Sequence, residues 1–154
     1  MATKVLAGYP QMPPLTQQEL ETFFCQPLIA RLGTVNEDGT VHLAPIYFNY
    51  EDGTFILGTQ DVSRRVRNIK RNPNVTLLID DPKGPYKAVM VYGKATLEYD
   101  QVIEKRTRIF EKYSGDPVDA HASAEGICSK WKSVVIRIKP DRMVSFDYSD
   151  TSIL

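Results

Sequence analysis

A dense cluster of basic residues is the feature of this sequence best suited to binding chemistry. Residues 64–71 read RRVRNIKR and carry five positive charges with no acidic residue among them. The cluster begins directly after Ser63, at the predicted start of a helix, where free backbone N–H groups and the helix dipole favour an anion. Arg64 and Arg65 could add charge-assisted hydrogen bonds, and Thr59 and Ser63 could add hydroxyl groups. These residue types at this spacing predict a site for one phosphate group.

The residues alone leave two other interpretations of the basic cluster open. A basic run on a helix is commonly a solvent-facing surface, and this is favoured for Arg67, Lys70 and Arg71. For Arg64 and Arg65, the sequence favours a solvent-facing surface and phosphate binding equally. Nucleic-acid contact would need a larger footprint than one short basic helix. The whole chain has 19 Lys+Arg and 19 Asp+Glu, so its formal net charge is zero. That balance argues against a broadly basic binder of nucleic acids or membrane surfaces.

The residues that could act as nucleophiles or metal ligands form no recognisable arrangement. His42 and His121 lie far apart without metal-type partners, so no zinc site is expected, and His42 is predicted to be a hydrogen-bonded strand residue. Cys25 is predicted to be a small core residue on a helix face. Cys25 and Cys128 are expected to be free thiols, with a disulfide left open. No phosphate loop or nucleophile elbow is found, so an enzyme of this sequence would borrow its chemistry from a cofactor rather than use a catalytic side chain.

The length and composition predict one globular domain spanning residues 1–154. The chain is 42% hydrophobic and 25% charged, which is enough apolar material for a sizeable core. Its longest apolar runs, such as 88–92, have about five residues, whereas a membrane-spanning helix needs about 20. Residues 1–14 contain three prolines and one lysine and are expected to form an extended arm rather than a signal peptide. We therefore expect a cytoplasmic protein without a membrane segment.

Turn and periodicity signals predict the elements that must position the phosphate site. A capping box at Thr16–Glu19 begins the first helix. Asp-Gly pairs at 38–39 and 52–53 predict two tight hairpins, and Gly93 predicts a bend in a long strand. Residues 114–130 give no clear prediction. The predicted helices are 16–26, 63–72 and 100–113, and the predicted strands are 28–35, 41–50, 54–59, 75–79, 87–98, 134–138 and 143–146. The fold class is therefore mainly β, a barrel with flanking helices.

The strand predicted at 41–50 is apolar on both of its faces. A strand of this kind must be covered twice, by the barrel interior on one face and by a helix, a partner subunit or a flat ligand on the other. Pro45 cannot donate a ladder hydrogen bond, which places this stretch at a sheet edge or a bulge. Backbone groups left free at that edge could contact a ligand.

Six short motifs follow one another along the chain in a specific order and spacing. They are LGTV (32–35), GTVHLAPIYF (39–48), LGT (57–59), SRRVRNI (63–69), NP (72–73) and VMVYGKA (89–95). In this order they resemble the pyridoxamine 5′-phosphate oxidase-like superfamily of flavin-binding split-barrel proteins. The resemblance runs from about Thr16 through Leu97 and weakens afterwards. It implies a six- to seven-stranded antiparallel split barrel of Greek-key type.

The resemblance also implies a cofactor site and an activity. It implies a homodimeric FMN-dependent oxidoreductase in which hydride passes between the flavin and a small organic substrate. The backbone of Leu43, Ala44, Pro45 and Ile46 would approach the flavin ring. Lys87 would flank the cofactor from its strand. The residues implied to hold the phosphate are Gly58, Thr59, Ser63, Arg64 and Arg65.

Two departures from the vitamin B6 oxidases limit what the resemblance implies about the substrate. Ala88 stands where those oxidases have Gln, and the surroundings of Trp131 do not match their C-terminal substrate signature. Small relatives of this length bind either FMN or the deazaflavin coenzyme F420, so the deazaflavin is the alternative cofactor. A non-catalytic flavin- or haem-binding module is the alternative from a different class, with His42 and His121 as the available haem ligands.

Overall fold

The computed structural model describes residues 3–150 and contains eight strands and four helices in that range. The strands are β1 (Lys4–Ala7), β2 (Ala30–Val35), β3 (Val41–Ile46), β4 (Phe48–Glu51), β5 (Thr54–Gln60), β6 (Asn74–Asp81), β7 (Lys87–Glu98) and β8 (Ser133–Asp147). The helices are α1 (Gln17–Phe24), α2 (Arg64–Arg71), α3 (Val102–Ser114) and α4 (Pro117–Lys130). No helix among these residues is both long and apolar enough to span a membrane.

The strands form one curled sheet, which confirms the predicted split barrel. Seven strands are hydrogen-bonded in the order β3-β2-β6-β7-β8-β5-β4, and all of these pairs are antiparallel. The first and last strands of this order, β3 and β4, are joined in sequence by the single residue Tyr47. The sheet must therefore curl until its two ends meet, and the barrel is split between β3 and β4. The seven strands agree with the predicted six to seven.

Strand β1, which lies outside this seven-strand order, shows that the N-terminal arm is more ordered than an extended tail. β1 pairs in parallel with β8, with Leu6 opposite Val144. The backbone of Leu15 is also fixed, because its N–H donates to the buried Ser145 hydroxyl at 2.9 Å. The arm therefore extends the sheet beside β8 before α1 begins at its capping box, in which Thr16 and Glu19 exchange the predicted hydrogen bonds.

One expectation for the C-terminal third was wrong, and a segment without a clear prediction proved to be helical. The two strands predicted at 134–138 and 143–146 are one continuous strand, β8. A register shift opposite Gly93 takes up the extra residue and accommodates Pro140. Gly93 is required at that point because a Cβ there would lie 2.5 Å from the Lys139 carbonyl oxygen. Residues 117–130 form a helix that is capped by the Asp116 side chain. The sequence of this helix has no periodic apolar pattern because mainly small residues face α3.

The core fills the barrel interior, and a second small cluster lies outside it. Phe24 and Phe55 are fully buried in the interior, with ring centroids 4.9 Å apart. On the other face of β5, Ile56 packs with Ile109 of α3. Cys25, predicted to be in the core, is exposed because α1 ends at Phe24 and the next residue turns outward. Both cysteines are free in the structure.

Lys112 and Tyr113, at the end of α3, hold the start of β4 in place. The Lys112 ammonium donates to the carbonyls of Phe24 (2.6 Å) and Phe48 (3.2 Å) and lies 3.5 Å from the centroid of the Phe48 ring. The Tyr113 hydroxyl donates to the Leu28 carbonyl (2.6 Å) and accepts from the Phe48 N–H (3.1 Å). Burial lowers the pKa of Lys112 to about 7 and raises that of Tyr113 to about 12.

The position of Lys112 predicts a pH-dependent stability. Between about pH 7 and 10.5 the unfolded chain binds a proton at Lys112 that the folded chain has lost, so the free energy of unfolding rises with pH in that window. The cost of burying the charge is fully present below pH 7. We expect Lys112→Met to remove about 1–2 kcal/mol of this rise between pH 7 and 9 in urea unfolding. Lys139→Met, at an exposed lysine, is the control, and equal slopes in wild type and Lys112→Met would contradict the assignment.

Candidate functional site

Helix α2 begins where the sequence places the phosphate site. Ser63 is its N-cap residue, and the Ser63 hydroxyl accepts from the Val66 N–H at 3.4 Å. Val66 and Ile69 face the core, whereas Arg64 and Arg67 are exposed. The free N–H groups of the first turn therefore lie next to two arginines, Arg64 and Arg65. This arrangement can bind an anion.

A buried amide that the sequence analysis did not single out fixes the orientation of α2. Asn68 is 2% exposed, and its Nδ2 donates to Thr34 Oγ1 (3.0 Å) and to Asn36 Oδ1 (2.9 Å). Arg71 is exposed, as expected, and also donates to the Val35 carbonyl (2.7 Å) and to Asn68 Oδ1 (3.0 Å). The sequence did contain a signal for this network, since Asn68 lies on the apolar side of the helix.

Strand β3 is an edge strand, as Pro45 predicted, and Arg65 joins it to α2. β3 has only β2 as a neighbour within residues 3–150. Arg65 Nη2 lies 3.5 Å from the Pro45 carbonyl oxygen, which therefore points away from β2 toward the open edge. Because backbone groups alternate in direction along an antiparallel strand, we expect Leu43, two residues earlier, to present its N–H and C=O on the same edge.

The side chains of the four predicted ring-contact residues divide between the two faces of β3. Leu43 is 65% exposed, and Pro45 is exposed on the same outer face. Ile46 is buried, and Ala44 lies on the inner face opposite Leu32. The inner face meets the barrel core as expected, whereas no described residue covers the outer face. That face is open to a ligand or to another protein chain.

The charge at this edge is positive and without an acidic partner. Neither Arg64 nor Arg65 forms an ion pair with a carboxylate in the described part of the chain. Arg65 is half-buried, and desolvation lowers the pKa of its guanidinium from the ordinary value. A cation that has lost water and gained no carboxylate interacts strongly with an arriving anion.

Gly58 and Thr59 lie at the end of β5, close to α2 in sequence. A turn leads from Gln60 to the start of the helix, with the Ser63 N–H donating to the Gln60 carbonyl at 3.0 Å. Gly58 faces α3, where Arg106 covers it, and Thr59 pairs with Val134 of β8. The structure thus brings the end of β5, the start of α2 and the edge of β3 to one end of the split.

Lys87 does not join these residues within one chain. It begins β7, and two strands, β2 and β6, separate β7 from β3 in the sheet. Lys87 instead lines a cleft of about 420 Å³ between α1 and residues 81–87, together with Phe23, Gln26 and Lys83. Within one chain, Lys87 therefore lies apart from the residues at the edge of β3.

His42 is not the fully hydrogen-bonded strand residue that the sequence predicted. Its Nδ1 atom is buried and has no hydrogen-bond partner among residues 3–150. His42 pairs with Thr34 on the inner face of β3, next to the contact between Thr34 and Asn68.

Comparison with known proteins identifies the family. The sequence model of the family described as pyridoxamine 5′-phosphate oxidase matches residues 16–144, which include β3, α2 and the β5 end. The chain belongs to the pyridoxamine 5′-phosphate oxidase family. This membership confirms the resemblance inferred from the motifs. Ala88, the position that departs from the vitamin B6 oxidases, is buried on β7 and offers no polar group, and Trp131 is half-exposed beyond α4.

Proteins similar to this chain include two that are named as reductases. The chain is 32% identical over 90 residues to a 5a,11a-dehydrotetracycline/5a,11a-dehydrooxytetracycline reductase of Streptomyces rimosus, a match that covers 53% of this chain and 63% of that protein. A conserved hypothetical protein of Mycobacterium tuberculosis shares the fold with a TM-score of 0.79 and 22% identity, over 94% of this chain and 91% of the other. A protein named F420 reductase superposes with a TM-score of 0.65 and 24% identity, over 80% and 94%.

Proposed function

We propose that this family member is a cytoplasmic, homodimeric oxidoreductase that binds FMN non-covalently between its subunits. When bound, the flavin would supply the redox chemistry by exchanging a hydride with a small organic substrate. The chain's own residues would bind and orient that cofactor, and no side chain would need to act as nucleophile, acid or base. The family membership and the related Streptomyces reductase support a redox role.

One observation carries the proposal: Arg65 links the start of α2 to the free edge of β3. Its guanidinium lies 3.5 Å from the Pro45 carbonyl oxygen, beside the first-turn N–H groups that follow Ser63. A flavin phosphate needs cationic and N–H donors, whereas its flat ring needs an apolar surface with backbone hydrogen-bonding groups. The α2 start offers the first set, and β3 from Leu43 to Ile46 offers the second. The residues present therefore fit FMN.

A second subunit is proposed because the outer face of the sheet is apolar and uncovered. We call this surface the outer-face band, and define it as Leu6, Val41, Leu43, Pro45, Leu78, Met90 and Val144. Register places Pro45, Arg31, Leu78, Met90 and Val144 in one row across the sheet, so the band is interrupted on β2 by Arg31, which is paired with Asp80. Val41 is 64% and Leu43 65% exposed, and large apolar side chains exposed side by side favour an interaction surface. A second copy would cover the band and could supply Lys87.

The test of the proposed function is the identity of the molecule that copurifies with the full-length chain. We expect an absorption spectrum with flavin bands and a released compound of the mass of FMN, bound again on reconstitution of the apoprotein. Failure to bind any flavin on reconstitution would sink the proposal. A Soret band that is lost in His42→Ala would establish haem binding instead.

The deazaflavin coenzyme F420 is the second candidate cofactor, favoured by additional positive charge on α2. Arg67 is exposed one turn after Arg64 and forms no ion pair within the described ranges. These two arginines could hold an anionic tail that extends beyond the phosphate. The mass of the copurified compound separates the two candidates directly.

A further inference from the structure

Arg106 of α3 is a buried cation that the proposed site does not yet use. It is 8% exposed, and its Nη1 donates to the Ser133 hydroxyl at 3.0 Å. Its guanidinium carbon lies 5.5 Å from the centroid of the Phe110 ring. Arg106 therefore lies in the layer between α3 and the strands β5 and β8, on the side of β5 that faces away from the barrel core.

The guanidinium of Arg106 lies directly against Gly58. A Cβ built on Gly58 would be 2.8 Å from Arg106 Nε and 3.0 Å from Arg106 Cζ, and the nearest neighbours of that Cβ all belong to Arg106. A side chain at position 58 would therefore have to displace the Arg106 guanidinium. The cation is in contact with the backbone that leads to Thr59, on the segment proposed to hold the phosphate.

The charge of Arg106 is uncompensated, unlike the charges on either side of it in α3. Lys105 pairs with Glu98 at 3.0 Å, and Arg108 pairs with Glu51 at 2.5 Å. Arg106 has no carboxylate partner among residues 3–150, and burial lowers the pKa of its guanidinium. Burying a cation without an acid is costly, and a nearby anion would offset that cost.

We propose that Arg106 is a positioning residue for the phosphate end of the ligand. From the α3 side of β5 it places a positive charge behind Gly58 and Thr59 and keeps that backbone in place. The ligand's negative group is then held between Arg106 on one side of the strand end and Arg64 and Arg65 on the other. This inference rests on the proposed function, because it assumes that a phosphate-bearing cofactor binds there.

The inference is tested by comparing FMN with riboflavin, which has the same ring and no phosphate. Arg106→Met keeps an unbranched side chain of similar length and removes the charge. We expect FMN affinity to fall about tenfold or more and riboflavin affinity to change less than about twofold, as measured by fluorescence quenching of the full-length dimer. Arg106→Lys retains the charge and should remain within about threefold of wild type for both ligands.

Arg108→Met is the matched control, since Arg108 lies on the same helix two residues later and its partner is the surface residue Glu51. It should leave both affinities unchanged. A purely structural role for Arg106 predicts equal losses for FMN and riboflavin in Arg106→Met. Equal losses, or no loss of either, would overturn the inference.

Gly58→Ala supplies a second test that does not depend on the folding of Arg106→Met. The added methyl group must displace the guanidinium, so we expect a selective loss of FMN over riboflavin. In the double variant that combines Arg106→Met and Gly58→Ala, the losses of FMN affinity from the two substitutions should not add, because both act through the Arg106 side chain. Full additivity, or equal weakening of riboflavin by Gly58→Ala, would contradict the inference.

Failure of the proposed function gives a different result from failure of this inference. A wild-type chain that binds neither flavin contradicts FMN binding. Inorganic phosphate then serves as the probe, and it should raise the melting temperature of wild type and Arg106→Lys more than that of Arg106→Met. Equal shifts in the three proteins would remove Arg106 from the anion site.

Discussion

Arg65→Met is expected to weaken FMN binding about a hundredfold while leaving the fold intact. The substitution removes the guanidinium that connects the first turn of α2 to the Pro45 carbonyl at the edge of β3. A charge-assisted hydrogen bond to a phosphate contributes about 1.5–3 kcal/mol, and the desolvated position of Arg65 places its effect at the upper end. Isothermal titration of the apoprotein with FMN measures the change directly.

Arg67→Met is the matched control for Arg65→Met. Arg67 is exposed on the same helix and lies away from the β3 edge, so FMN affinity should stay within about threefold of wild type. Unchanged FMN affinity in Arg65→Met would mean that the phosphate binds elsewhere. A large loss in Arg67→Met with the deazaflavin coenzyme, but not with FMN, would identify the anionic tail of the second candidate.

The parts of the fold that the sequence predicted are those coded by local signals. The capping box at Thr16–Glu19, the hairpin turns and the edge position of Pro45 depend on residues that are neighbours in the chain. Ser63 is the N-cap of α2 because a hydroxyl followed by a run of helix formers starts a helix wherever it lies. The predicted position of the anion site rests on this same local chemistry and stays a prediction.

The parts that the sequence did not predict depend on partners far away in the chain. β8 continues through Pro140 only because β7 provides a register shift opposite it, and β1 forms only because β8 has an edge to pair with. α4 lacks an apolar period because it packs on α3 through small residues, so its pattern resembles a loop.

The same distinction explains which site residues were missed. Arg106 is 48 residues after Gly58 in the sequence, and no local pattern reveals that the two are in contact. Asn68 meets Thr34 only after α2 packs on β2. The family resemblance implied a cofactor contact for Lys87, but two strands separate its strand from β3, which a linear comparison cannot show. That separation leads to the last prediction.

Leu43→Asp is expected to convert the proposed dimer to monomers and to abolish cofactor binding. Leu43 is 65% exposed on the edge strand β3, at one end of the outer-face band, and a second copy of the chain would bury it. Two carboxylates placed in an apolar interface without partners would weaken association by several kcal/mol, more than a hundredfold in the dimer dissociation constant. Sedimentation velocity at micromolar concentration should show wild type as a dimer and Leu43→Asp as a folded monomer.

Val118→Asp is the matched control for Leu43→Asp, because Val118 is 75% exposed on α4 and lies outside the outer-face band. It should remain dimeric and bind FMN as wild type does. A monomeric Leu43→Asp that still binds FMN tightly would show that one chain completes the site without Lys87 from a partner. A dimeric Leu43→Asp would show that the subunits meet through a different surface. If two subunits share the site, Leu43→Asp must lose both dimer formation and FMN binding.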